Sequence, residues 1–105
     1  MTSPKQDEVL SWLVKAQEDL DSAAWLLESP RALYGSVGFH CQQAAEKAFK
    51  AYLTWQDMPF EKTHSLVALV GICLEFDIDF DTLLKAATML TPFAEGISPH
   101  QSIEL

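Results

Sequence analysis

Arginine is almost missing from this chain: Arg31 is the only one in 105 residues, and seven basic side chains face fifteen acidic ones for a net charge of −8. That balance excludes non-specific nucleic-acid binding, which draws its affinity from many Lys and Arg contacts to phosphates. Any contact with a polyanion has to be local. Long hydrophobic runs are also missing. The longest, Leu66 to Leu74, is interrupted by Gly71 and reaches about half the length of a membrane span. The N-terminus, Met1-Thr2-Ser3-Pro4-Lys5-Gln6-Asp7-Glu8, lacks the basic and then apolar order of a secretory signal, so the expected compartment is the cytoplasm.

Other absences remove whole chemistries. Only two cysteines occur, Cys41 and Cys73, without the paired spacing of a metal or redox motif, and both are expected to be core thiols. No glycine-rich run precedes a Lys-Ser or Lys-Thr pair, which excludes a phosphate loop, and no glycine-flanked nucleophile turn marks a Ser/His/Asp hydrolase. His40, His64 and His100 show no four-residue helical pairing, so no metal site is expected from them. The alternating acids of Asp77-Ile78-Asp79-Phe80-Asp81 start like a calcium loop, but Thr82 stands where the turn needs glycine and Thr88 where a bidentate glutamate belongs. No cofactor is implied.

What is present is a helical pattern. The chain length fits one domain, residues 1–105, in which roughly two-thirds of the unfolded surface would be buried. Four helices are expected from period and punctuation. The first, about 6–28, carries Val9, Leu13, Ala16, Leu20, Ala23, Ala24 and Leu27 as one stripe and ends at Ser29-Pro30. The second, about 35–55, separates Val37, Cys41, Ala44, Ala45, Ala48, Tyr52 and Trp55 from Ser36, His40, Gln43, Lys47, Lys50 and Thr54. Its three alanines suggest the close approach of another helix. The third, about 64–76, follows Thr63 as N-cap and is apolar nearly all round, which suits the middle of a bundle. The fourth, about 80–93, starts after Asp79 and is ended or bent by Pro92. The last residues, from Pro99 to Leu105, read as the start of a fifth helix in a longer, C-terminally truncated parent.

The polar stripe of the second helix is the sequence's best candidate surface. The plain reading of His40, Gln43, Lys47 and Lys50 is a solvated face that also packs a partner. Against it stands local charge: two lysines and a histidine share one face of a strongly acidic chain, with only Glu46 at the edge. Such a strip could hold a phosphate or an RNA backbone locally.

These residues also carry a resemblance. The run Phe39-His40-Cys41-Gln42-Gln43-Ala44-Ala45-Glu46-Lys47-Ala48-Phe49-Lys50-Ala51-Tyr52-Leu53, followed by Lys62-Thr63-His64-Ser65-Leu66, resembles the signature of the HEPN family. Ala16, Asp19, Leu20 and Ala23 fit that family's first helix. The resemblance implies an all-α, up-and-down four-helix bundle that forms homodimers. It also implies a role beside a minimal nucleotidyltransferase in a toxin-antitoxin or defence pair.

Many members of the family are metal-independent ribonucleases with an Arg-x4–6-His motif. Here eight residues separate Arg31 from His40, so no such motif exists, and Ile97 and Ser98 stand where many relatives carry Arg-Tyr. The expectation is a non-catalytic binding module that takes a nucleotide or a nucleotidyltransferase partner through His40, Gln43, Lys47, Lys50 and His64. One alternative is a divergent ribonuclease in which His64 or His100 acts as general base and Lys47 steadies the phosphorane. Another is a dimeric helical module without ligand.

Overall fold

A computed structural model describes residues 2–31, 33–60, 65–75, 77 and 84–93. Among them the protein is all helical, with four α-helices, a short 3-10 turn and no strand. No helix among the described residues is long and apolar enough to cross a membrane.

Helix α1 spans Pro4–Leu27 and starts two residues before the expected position. The cause is a capping box. Ser3 Oγ accepts the Gln6 N–H at 3.1 Å and Gln6 Oε1 accepts the Ser3 N–H at 2.9 Å, with Pro4 preset for the first turn. At the other end the Ser29 hydroxyl donates to the Leu26 carbonyl at 2.7 Å, satisfying a group that Pro30 prevents the helix from satisfying.

Helix α2 spans Tyr34–Trp55, within one residue of the expected range. It stops where Asp57 takes a positive φ of 57°. It runs antiparallel to α1: Lys5 in the first turn of α1 pairs with Asp57 just beyond α2 at 2.9 Å, while Asp19, further along α1, reaches Lys47 and His40. Helix α3 spans Leu66–Cys73 and is capped by Ser65, whose Oγ accepts the Ala68 N–H at 3.2 Å. Ser65 therefore replaces Thr63 as the cap; Thr63 and His64 themselves lie outside the described residues. Helix α4 spans Leu84–Leu90 and passes into a 3-10 turn, Thr91–Phe93, that contains Pro92. The expected cap Asp79, and the residues 94–105 that suggested a fifth helix, also lie outside the described residues.

The core is built where α2, α3 and α4 meet, from Leu53, Leu66, Leu69, Val70, Cys73 and Ala87. Gly38 lets the last turn close over α2: a Cβ there would lie 2.4 Å from Cδ1 of Phe93. Cys73 is fully buried, which pushes its thiol up to about 11. Cys41 is only half-buried, so one of the two expected core thiols is in the core.

The faces of the long helices depart from expectation. On α1, Ala16 and Ala23 are buried as expected, but Leu13, Leu20 and Leu27 of the same stripe are exposed. On α2, Ala48 and Trp55 of the expected apolar face are exposed. Gln42, Glu46, Lys50 and the fully buried Leu53 point inward instead. The physical reason is that α2 sits between α1 on one side and α3 and α4 on the other. Its polar groups find partners in those contacts, and of its apolar stripe only Ala48 and Trp55 face out, while Ala44 is buried and Ala45 and Tyr52 pack on the core.

Candidate functional site

The expected polar strip of α2 is therefore not a solvated face. It is the seam against α1, organised by Asp19, a residue that the stripe pattern alone did not single out. Asp19 falls on the buried side of α1 between Ala16 and Ala23, with 8% of its surface exposed. One carboxylate oxygen lies 2.9 Å from His40 Nδ1 and the other accepts from Lys47 Nζ. Burial raises the Asp19 carboxyl, but the hydrogen bonds and charges of Lys47 and His40 outweigh it and hold the group below its ordinary value of 3.8. Asp19 is thus ionised and can only accept. The His40 Nδ1 must carry the hydrogen, and in the neutral ring Nε2 is left as an acceptor.

Lys50 is committed to a second cluster. Its ammonium lies 3.0 Å from Glu46 Oε2, 5.5 Å from the Trp12 ring and 5.9 Å from the Phe60 ring. The pair is almost wholly buried. A hydrogen bond from Gln42 to Glu46 at 3.4 Å and one from Gln43 to Gln42 at 2.8 Å continue the network along the helix. Buried charges persist only when paired and hydrogen-bonded, and this cluster meets that demand within the fold. Lys47 and Lys50, expected as an open phosphate strip, are each already neutralised by a carboxylate. His64, the fifth expected site residue, lies outside the described residues.

Among the described site residues, His40 and Lys50 each line an open cavity. An open cavity of about 430 Å³ is lined by Asp21, Ser22, Trp25, Leu26 and His40. Trp25 is 78% exposed there, a large flat apolar surface left in water. The polar groups around it are mainly acceptors: the Asp21 carboxylate, which already takes one bond from Gln17 at 2.9 Å, and the second nitrogen of His40. Ser22 spends its hydrogen on the Glu18 carbonyl at 2.9 Å, leaving oxygen lone pairs. Such a lining has the chemistry to accept hydrogen bonds from N–H donors on the edge of a flat ring. A second open cavity, of about 540 Å³, lies beside Lys50 and is lined by Glu8, Trp12, Thr54 and the segment from Asp57 to Phe60. Its only lysine is spent on Glu46.

Trp25 was not anticipated because it falls outside the apolar stripe of α1. The available signal was a tryptophan on the polar side of an amphipathic helix.

Compared with models of known families, residues 9–97 match the one described as HEPN domain. No curated protein and no solved structure matches the chain.

Proposed function

Because this chain belongs to the HEPN family, we propose that it is a non-catalytic binding module of the nucleotide-related, toxin-antitoxin type, a cytoplasmic single-domain homodimer of up-and-down helices. It takes a nucleotide, and it serves as partner of a minimal nucleotidyltransferase. The observation that carries the ligand half is the position of His40. Asp19 fixes its Nδ1 while the same ring lines the cavity that exposes Trp25. Stacking of a base on an aromatic side chain contributes about 1–3 kcal/mol, and the acceptors of Asp21 and His40 suit the amino and imino hydrogens of a purine.

The seam speaks against a ribonuclease. Lys47 and Lys50 would have to leave Asp19 and Glu46 before either could meet a developing phosphorane, and no arginine stands ready as a bidentate clamp. The reading therefore places His40 and Trp25 at the base, Gln43 and Lys47 on the following turns, and withdraws Lys50 into the scaffold.

Isothermal titration with ATP, AMP and GTP tests it. The expected result is binding that weakens about 10-fold or more in Trp25→Ala, a residue whose exposure makes its removal harmless to the fold. Absence of heat with all three nucleotides removes the ligand half. Co-expression with the product of a neighbouring nucleotidyltransferase gene tests the partner half, and failure to co-purify removes it.

A further inference from the structure

The two stripes that the fold leaves outward lie on the same side of the α1/α2 hairpin. At about 100° per residue, Leu10, Leu13, Leu20 and Leu27 share one sector of α1, and Tyr34 and Trp55 share one sector of α2. Those six side chains are between 45% and 71% exposed. The sectors meet at one end of the hairpin, where Trp55 lines an open cavity together with Val9 and Leu10.

No Asp, Glu, Lys or Arg falls within either sector over the full length of the two helices, although 22 of the 105 residues are charged. Charges stand at its rim, where Asp21 borders the α1 sector and Lys5 and Asp57 form a neutral pair beside Trp55. Lys5 sits 4.8 Å from the Trp55 ring and 2.9 Å from Asp57.

We infer that this charge-free face of α1 and α2 is where a second copy of the chain docks. The inference rests on the homodimer reading above and supplies its surface. Two copies, each of net charge −8, repel wherever acidic surfaces meet. A patch with no charge at its centre is where they can approach, and loss of charge at the centre with a polar rim is what interfaces show. The six named side chains leave roughly 600 Å² open, most of the about 800 Å² per partner that a standard interface covers. A two-fold contact uses the same patch on both copies, which an uncharged face satisfies without matching signs. The small exposed Ala48 between the two ends of the α2 stripe lets the helix backbones come close.

Ala48→Glu places a charge in the middle of the face without touching the seam or the core. Sedimentation equilibrium of the full chain should give twice the chain mass for wild type. For Ala48→Glu it should give a dissociation constant raised about 100-fold or more, with an unchanged helical circular dichroism spectrum. A second variant, Leu13→Glu, should do the same from α1. A wild-type monomer overturns the homodimer reading together with this inference. A wild-type dimer whose dissociation constant is unmoved by both variants overturns this surface alone, and a dimer dissociated instead by Met89→Glu puts the interface on α4.

Discussion

Asp19 on α1 and His40 on α2, 21 positions apart in the chain, meet at 2.9 Å, and the same carboxylate also takes the ammonium of Lys47. One acid thus fixes the register between the two longest helices and the orientation of the histidine ring that lines the Trp25 cavity. The stability that it provides has a definite pH window. Its folded value lies below the ordinary 3.8, so its contribution is fully present above that value and is lost as pH falls through the folded value.

Asp19→Asn should destabilise the protein by about 2 kcal/mol at neutral pH, because it leaves a half-buried lysine without its counter-charge. Urea unfolding followed by circular dichroism measures the loss. Repeated between pH 6 and pH 3, it should also show a shallower acid limb in the variant than in wild type. Equal acid limbs would remove Asp19 as the source of that dependence.

Lys50→Met should cost about 3–5 kcal/mol, since it takes the Lys50 counter-charge away from Glu46 in an almost wholly buried site. Adding Glu46→Gln should return most of that loss, because the amide keeps a polar partner for Gln42 without a charge. A double-mutant cycle in urea reads the coupling, and simple additivity of the two losses would contradict the buried-pair account.

Two glycines within helices should respond with opposite signs. Gly38→Ala forces a methyl group against the Phe93 ring and should destabilise by about 1–3 kcal/mol, the overpacking cost exceeding the gain in helix propensity. Gly71→Ala in α3 meets open space and should stabilise by about 0.5–1 kcal/mol. Thermal melts of the two variants beside wild type decide the matter.

The thiols should separate in reactivity. At pH 8 a disulfide reagent should titrate Cys41 and spare Cys73, whose thiol is both fully buried and pushed up to about 11. Cys73 should react only after denaturant is added. Reaction of both thiols at the same rate in native protein would contradict the burial of Cys73.

The extents of α1 and α2 were legible in the sequence because a 3.6-residue period sustained over twenty residues has few competing explanations. The faces were not. Hydrophobic periodicity finds the apolar sector of a helix, but it does not say which sector meets the intramolecular neighbour and which stays outside. Here Ala44 and Ala51 pack inward beside Lys47 and Lys50, while Leu13, Leu20 and Trp55 remain open. Asp19 held the missing information: an acid in step with Ala16 and Ala23 is a buried charge in need of a cation, and the polar stripe of α2 supplies one in Lys47. The capping box of Ser3 and Gln6 was also readable and fixes the start of α1. His40 was found from the motif, whereas Trp25 needed the cavity.

The three tryptophans of the chain stand in three unlike surroundings. Trp12 is half-buried beside the Lys50 ammonium, Trp25 is open beside His40, and Trp55 is open beside Lys5 at the end of the hairpin. The molecule therefore carries its own set of optical reporters. With the other two replaced by phenylalanine, emission from Trp25 would follow ligand, emission from Trp55 would follow self-association, and emission from Trp12 would follow unfolding, each from a single indole and without any added dye.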